Sequence, residues 1–269
     1  MSQSEPSRVT PDTLLAMKQA GEKIVSLTAY DAAFAHLLEA AGMEILLVGD
    51  SLGMVLQGHD STRPVRLDHM IYHAACVARA SQRALRVVDM PWHSYDSPEI
   101  ALASARRLVE EGGAQLVKLE GGAAVLEQVR RLSTAGIGVC GHLGLLPQSV
   151  ESPDGYRVQG RDPESAAAIR ADALALQEAG ASLLVLECVP AALGTEVSRA
   201  LRIPVIGIGA GVDCDGQVLV LHDLLGVSSG RRPRFVQDFL AGRGSVEDAI
   251  RAYVRDVKDG RFPGPEQSY

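Results

Sequence analysis

The sequence is short of aromatic residues, of paired cysteines, of long apolar runs and of positive charge, and each shortage narrows what the chain can do. Aromatic side chains make up 4% of 269 residues, with a single Trp, and 26 Lys and Arg against 33 Asp and Glu leave a formal charge of −7. Without a basic run or aromatic platforms, phosphate neutralisation and base stacking are both excluded as a mode of action, so no nucleic-acid partner is expected. Cys76, Cys140, Cys188 and Cys214 stand far apart with no C-x-x-C pair, which reads as reduced thiols in a reducing compartment rather than a disulfide framework or a zinc site. No apolar run approaches the roughly 20 residues of a membrane helix, so no membrane partner is expected. The opening MSQSEPSRVTPD has neither the basic nor the apolar region of a secretory signal, and a cytoplasmic location follows as the expectation.

What is present is a repeating unit. A helical segment ends in Ala-Gly or Gly-Gly, and an apolar strand follows after a short gap: Ala20-Gly21 before Ile24–Leu27, Ala41-Gly42 before Ile45–Val48, Gly112-Gly113 before Leu116–Leu119, Ala135-Gly136 before Ile137–Val139, and Ala179-Gly180 before Leu183–Leu186. Glycine just past a helix end closes the last turn, so each marks a junction from helix to strand. Helix starts are marked as consistently by Thr10-Pro11-Asp12, Ser97-Pro98-Glu99 and Asp162-Pro163-Glu164, each offering a capping oxygen, a proline for the first turn and an acid facing the helix dipole. Leu85–Val88, Val205–Ile208 and Val218–Leu221 complete eight strands. Near-continuous Val, Ile and Leu runs of this kind belong to parallel strands covered on both faces. Eight such strands alternating with helices predict an α/β fold, a closed (β/α)8 TIM barrel, and the length fits the typical figure of about 250 residues. The segment Leu14–Gln19 is expected to cap the barrel bottom and Val246–Val257 to form an extra C-terminal helix. No linker divides the chain, so residues 1–269 read as one domain, with 1–9 a flexible tail.

The strand interiors are apolar and their C-terminal ends are not. The ends carry Tyr30-Asp31, Gly49-Asp50-Ser51, Asp89, Lys118 with Glu120, Gly141-His142, and Glu187. In a barrel these positions converge on one rim, where active sites of this fold lie. Side chains two apart on a strand share a face, so Lys118 and Glu120 point inward together. Asp31 precedes an Ala-rich helix and serves equally well as its cap. Asp50, Asp89, Glu120 and Glu187 crowded on one rim repel unless a cation or protonation relieves them. An all-oxygen donor set without a His/Cys cluster favours Mg²⁺. Two or three acids at the metal leave room for a chelating substrate, Lys118 can neutralise a substrate carboxylate, and a remaining acid, partly desolvated, suits proton abstraction. That combination is metal-assisted enolate chemistry with the substrate unnamed.

Weaker signals stand beside it. Gly207-Ile208-Gly209-Ala210-Gly211 follows the seventh strand and reads either as a backbone phosphate cradle or as a tight turn packed against its neighbours; it lacks the full dinucleotide fingerprint. Arg231, Arg232 and Arg234 read as a solvated or interface loop, and His59, His69, His73 and His222 as structural.

Several blocks in order resemble the ketopantoate hydroxymethyltransferase family: LTAYD at Leu27–Asp31, LVGDSLGMV at Leu47–Val55, VKLEGG at Val117–Gly122, GHLGLLPQS at Gly141–Ser149, YRVQGR at Tyr156–Arg161, LECVP at Leu186–Pro190, and IGIGAG followed by DGQVLVLHDLLG across Ile206–Gly226. The likeness runs from about Thr10 to Phe239. One departure is Trp92 followed by His93, where the family pattern carries Phe after Pro91.

The resemblance implies a Mg²⁺-dependent barrel, one metal per subunit, that moves a hydroxymethyl group from 5,10-methylenetetrahydrofolate to the keto acid 3-methyl-2-oxobutanoate in pantothenate and coenzyme A biosynthesis. It implies Asp50, Asp89 and Glu120 as metal ligands, Asp50, Ser51, Asp89 and Lys118 as keto-acid contacts, and Glu187 as the proton acceptor. His142 falls in a family block near the site with its role open. It also implies a homodecamer of pentameric rings, and the scarcity of aromatics leaves Trp92 and Tyr30 as candidates to stack the pterin ring. A Mg²⁺-dependent carbon–carbon lyase or phosphoenolpyruvate-mutase-like barrel is the alternative enzyme, and a catalytically silent metabolite-binding barrel the alternative of another class.

Overall fold

A computed structural model describes residues 8–150, 157–228 and 232–269. Eight parallel strands form a closed barrel in chain order: β1 (Ile24–Thr28), β2 (Ile45–Val48), β3 (Leu85–Asp89), β4 (Leu116–Glu120), β5 (Gly138–Gly144), β6 (Leu183–Glu187), β7 (Val205–Ile208) and β8 (Gly216–Leu219), which pairs back onto β1. The eighth strand differs from its expected span: it begins two residues earlier, and Leu221 opens a short helix instead, its backbone N–H bonded to Thr28 Oγ1. The fifth strand runs five residues past the Ile137–Val139 expected from apolar content, because Gly141, His142 and Gly144 continue the ladder onto β6 without an apolar signature. Inside the barrel, Ser26, Ile45, Leu47, Val87, Cys140, Val185, Ile206 and Val218 close on a void of only about 10 Å³. The barrel interior is therefore filled core, as this fold requires.

The helices are α1 (Pro11–Ala20), α2 (Ala32–Ala40), α3 (Leu52–Val55), α4 (Leu67–Ala80), α5 (Pro98–Glu110), α6 (Leu126–Thr134), α7 (Pro163–Glu178), α8 (Ala191–Ala200), α9 (Leu221–Leu224) and α10 (Val246–Lys258). The three proline-marked starts behave as read. Thr10, Ser97 and Asp162 each accept the backbone N–H three residues on, satisfying a donor that the helix itself leaves open. Asp31 takes the capping role as well, accepting from Phe34 N at 2.9 Å. At the barrel bottom, α1 is tied down by Lys18, whose Nζ donates to Ser198 O, Ile203 O and Asp215 Oδ2 at 2.7 to 2.9 Å. Helix α10 packs outside β1, and the buried Tyr253 hydroxyl reaches Ser26 O and Gln217 O across the β1–β8 seam. Phe239, Tyr253 and Phe262 meet edge to face beneath it, with ring centroids 5.4 to 5.7 Å apart.

The four cysteines are free, with Cys140, Cys188 and Cys214 buried. Among the described residues no helix is long and apolar enough to cross a membrane. The tail expected at 1–9 falls outside the described residues up to position 7, as do Arg231 and Tyr156.

Candidate active site

Strand register builds the site. Parallel pairing sets Asp89 level with Lys118, Glu120 level with His142, and Gly144 level with Glu187. Four neighbouring strands, β3 to β6, therefore carry a band of ionisable side chains to the C-terminal rim, and β2 adds Asp50 from the residues just beyond it. Asp50, Asp89, Lys118, Glu120 and His142 are all buried, at 2 to 6% exposure.

The contacts link the sequence-predicted residues into one network. Lys118 Nζ lies 2.7 Å from Asp89 Oδ1 and 3.4 Å from His142 Nδ1. His142 Nε2 lies 3.2 Å from Glu187 Oε2, bent away from a linear hydrogen bond, and its Nδ1 is 3.4 Å from Glu120 Oε1. Asp50 N–H donates to Asp89 Oδ2 at 3.0 Å. Ser51 Oγ stands outside these contacts: it shares a hydrogen bond with the Tyr30 hydroxyl at 2.9 Å and lies beside Gly49, where a Cβ would stand 2.8 Å from it.

Burial of three carboxylates beside one ammonium sets the electrostatics. Desolvation first, then the charges of Asp89 and Glu120, push Asp50 well above the usual carboxylate range. Burial likewise pushes Glu120 up to about 7, although Lys118 pulls the other way. For Lys118 burial works against the ammonium, but Asp89, Glu120 and Asp50 outweigh it and hold its pKa above the ordinary lysine value. Burial and the neighbouring Lys118 depress His142, leaving its imidazole neutral at pH 7.

The set carries two negative charges more than positive when Asp50, Asp89 and Glu120 are ionised, deep in a low-dielectric rim. A hard divalent cation fits that deficit and that all-oxygen chemistry. Protein N–H groups pin one oxygen of each acid, through Asp50 N on Asp89 Oδ2, Gln148 N on Glu120 Oε2 and Gln148 Nε2 on Asp50 Oδ2. The partner oxygen of each remains outside these bonds, and Asp89 Oδ1 has the Lys118 charge as its neighbour. As placed, no three His, Cys, Asp or Glu side chains among the described residues close on one point tightly enough to hold an ion. Lys118 occupies the neutralising position beside Asp89.

Gln148 is the residue that the sequence reading missed. It sits in the turn Pro147–Ser149 after β5, 3% exposed, and touches two of the acids. Its only sequence signal is a place inside the GHLGLLPQS block, since an amide carries no charge to attract notice.

The stacking role expected of Tyr30 is corrected. Tyr30 is 1% exposed, with its hydroxyl on Ser51 and its ring against His222 at 5.6 Å, so it belongs to the core and offers no surface for a pterin. Trp92 is half-buried, with the Arg63 guanidinium 3.9 Å from its ring centroid, and lines an open groove of about 450 Å³ with Arg66 and Pro91. The Gly207–Gly211 segment is a packed turn: a Cβ at Gly209 would meet Phe235 at 2.9 Å and Tyr269 at 3.1 Å. Of the arginine loop, Arg232 pairs with Asp238, and Arg234 donates to the carbonyls of Glu266 and Pro265. His73 Nδ1 meets Tyr30 O at 2.7 Å, and His69 Nδ1 accepts from Arg66 N at the start of α4; both are structural.

Comparison with known proteins bears on what this rim serves. Solved structures with the same barrel include a putative lyase/mutase from Burkholderia cenocepacia J2315 (TM-score 0.61, 18% identity, covering 96% of this chain and 97% of that one). A phosphonopyruvate hydrolase in complex with oxalate and Mg²⁺ has a TM-score of 0.61 and 13% identity, covering 92% and 95%. At such identities the likeness is one of fold. Much closer in sequence are the 3-methyl-2-oxobutanoate hydroxymethyltransferases of Nitrosococcus oceani, 57% identical over 97% of this chain and 99% of that one, and of Paraburkholderia phymatum, 54% identical over 100% and 99%. The family model for ketopantoate hydroxymethyltransferase matches residues 8–265, so the tail beyond Phe239, outside the blocks recognised in the sequence, lies within the match as far as Pro265. The chain belongs to the ketopantoate hydroxymethyltransferase family of enzymes.

Proposed function

We propose that this enzyme forms ketopantoate by moving a hydroxymethyl group from 5,10-methylenetetrahydrofolate to 3-methyl-2-oxobutanoate, with Mg²⁺ held by Asp50, Asp89 and Glu120. The observation that carries the reading is the continuous buried path from Asp89 through Lys118 and His142 to Glu187. It joins an acid cluster suited to a metal with a separate, more exposed carboxylate free to act as base. Magnesium, when bound, supplies positive charge that polarises the keto-acid carbonyl. Lys118 pairs with the substrate carboxylate, and Ser51 supplies a hydroxyl beside it. Glu187 takes the proton from C3, a carbon whose two methyl groups make it weakly acidic, and the resulting enolate carbon bonds to the one-carbon unit, whose two C–N bonds to folate break while water supplies the hydroxyl oxygen and tetrahydrofolate leaves. The reading includes a cytoplasmic homo-oligomer acting in pantothenate biosynthesis.

The test is product formation from 3-methyl-2-oxobutanoate with and without 5,10-methylenetetrahydrofolate, in EDTA and after re-addition of Mg²⁺. Turnover that survives both the chelator and omission of folate would overturn the proposal. Folate-independent cleavage of a 2-hydroxy acid would favour the carbon–carbon lyase alternative. Asp89→Asn should weaken the Mg²⁺ dependence of keto-acid binding, and an unchanged titration would remove Asp89 from the ligand set.

A further inference from the structure

Gln148 makes more contacts inside the site than any proposed chemical step requires. Its backbone N–H donates to Glu120 Oε2 at 3.0 Å, and its side-chain amide donates to Asp50 Oδ2 at 2.8 Å and to Met90 O at 2.9 Å. The amide oxygen accepts from the Tyr95 hydroxyl, and Tyr95 O in turn accepts from Gln128 Nε2 at 3.1 Å. The direction of the amide follows from chemistry. The carbonyl of Met90 can only accept, so the NH₂ group must face it and Asp50, and the oxygen must face Tyr95. Each of the amide's two N–H groups has one acceptor, and its oxygen has a donor. A buried amide satisfied in this way is fixed in rotation.

The contacts gather the ends of three neighbouring strands. Asp50 follows β2, Met90 follows β3, and Glu120 ends β4, while Gln148 reaches them from the turn after β5. Like-charged carboxylates converging here would turn away from each other, and the donors of Gln148 hold an oxygen of each in place. Tyr95, in the loop after β3, holds the amide so that it donates rather than accepts.

Resting on the metal reading above, we propose that Gln148 is a positioning residue which, oriented by Tyr95, pre-sets Asp50 and Glu120 for a divalent cation. Residues of this kind change metal affinity by about ten- to a hundredfold when removed, with the ligands themselves intact.

The experiment is Mn²⁺ titration followed by electron paramagnetic resonance, on full-length wild type, Gln148→Met, Tyr95→Phe and Asp50→Asn, with melting curves for each. Gln148→Met keeps the volume and the backbone N–H to Glu120 but removes the amide donors to Asp50 and Met90, and should weaken Mn²⁺ by about tenfold at temperatures well below its melting point. Tyr95→Phe frees the amide to rotate and should weaken Mn²⁺ in the same direction by a smaller factor. It also carries the test if Gln148→Met does not fold. Wild-type Mn²⁺ affinity in Gln148→Met, or in a folded Tyr95→Phe where Gln148→Met fails to fold, alongside a weakened Asp50→Asn, would overturn the positioning role alone. Wild-type affinity in Asp50→Asn would overturn the metal reading itself, and this proposal with it.

Discussion

His142 places its Nε2 atom 3.2 Å from Glu187 Oε2 while its Nδ1 faces the Lys118 ammonium at 3.4 Å. An ammonium can only donate, so Nδ1 presents its lone pair to it, and in the neutral ring the proton must then sit on Nε2, on the Glu187 side but off the line to its carboxylate. The contact between imidazole and carboxylate is one of proximity, without a formed hydrogen bond. Glu187 is also the acid left outside the Asp50, Asp89 and Glu120 cluster, at 13% side-chain exposure against 3 to 4% for Asp89 and Glu120.

Glu187→Gln keeps the shape of the side chain and removes its basicity. The variant should bind 3-methyl-2-oxobutanoate in the presence of Mg²⁺ but exchange the C3 proton in D₂O more slowly by about two to four orders of magnitude, the usual weight of a general base. Proton NMR of the C3 position checks it, and exchange at the wild-type rate would assign the base elsewhere.

The acid cluster makes stability depend on pH in a direction that the metal should reverse. Without metal, burial keeps Glu120 protonated up to about pH 7, whereas the unfolded chain releases that proton near 4.5. Between those values the folded state binds more protons, so this contribution is fully present below about pH 4.5 and is lost as pH rises through 7. Asp50 is shifted in the same direction. Divalent cations require the ionised acids, so the stabilisation by Mg²⁺ should be larger at pH 8 than at pH 5.5. The expected difference is a few degrees in melting temperature, since about 1 kcal/mol moves a chain of this size by roughly 2–4 °C. Melting curves in EDTA and in Mg²⁺ at the two pH values decide it; an equal metal effect at both would contradict the account.

The parts of this architecture that were legible from sequence are those with a strong local cause. Glycine past a helix end, proline after a capping Ser, Thr or Asp, and uninterrupted Val/Ile/Leu runs each act within a few residues, and β2 and β7 occupy the spans expected from them. The ionisable strand ends were legible because charge is conspicuous beside an apolar run. Gln148 was not, because its importance lies in a turn that returns to β2, β3 and β4 across the barrel, a relation with no sequence spacing. The burial of Tyr30 also depends on distant partners, His73 and His222. Phe239, Tyr253 and Phe262 likewise find their role only in one another, packed edge to face under α10.

That cluster yields a stability prediction separate from catalysis. The buried Tyr253 hydroxyl is shared between Ser26 O at 2.9 Å and Gln217 O at 3.1 Å, carbonyls on the two strands that close the barrel. Tyr253→Phe keeps the ring and removes the donor. It should cost about 1–2 kcal/mol in urea unfolding with an unchanged slope and an unchanged turnover at 25 °C. A variant as stable as wild type would mean that the seam does not need the bond.

Gly144 sits beside Glu187 on the neighbouring strand with φ +90°, and a Cβ added there would stand 2.0 Å from Glu187 O. Glycine is required twice over, for the left-handed backbone and for the close approach of β5 to β6. Gly144→Ala must push the β6 end outward, carrying Glu187 away from His142. Displacement of a catalytic group by about 1 Å can cost a hundredfold in rate, and the backbone strain about 1–3 kcal/mol in stability. Gly136, at the α6–β5 junction, separates the two effects, because it shares the left-handed backbone (φ +77°) but has nothing within 4 Å of an added Cβ. Gly136→Ala should therefore lose stability and keep its turnover, while Gly144→Ala loses both. Steady-state kinetics with melting curves on the pair test this, and equal turnover in the two variants would show that the approach of β5 to β6 does not set the position of Glu187.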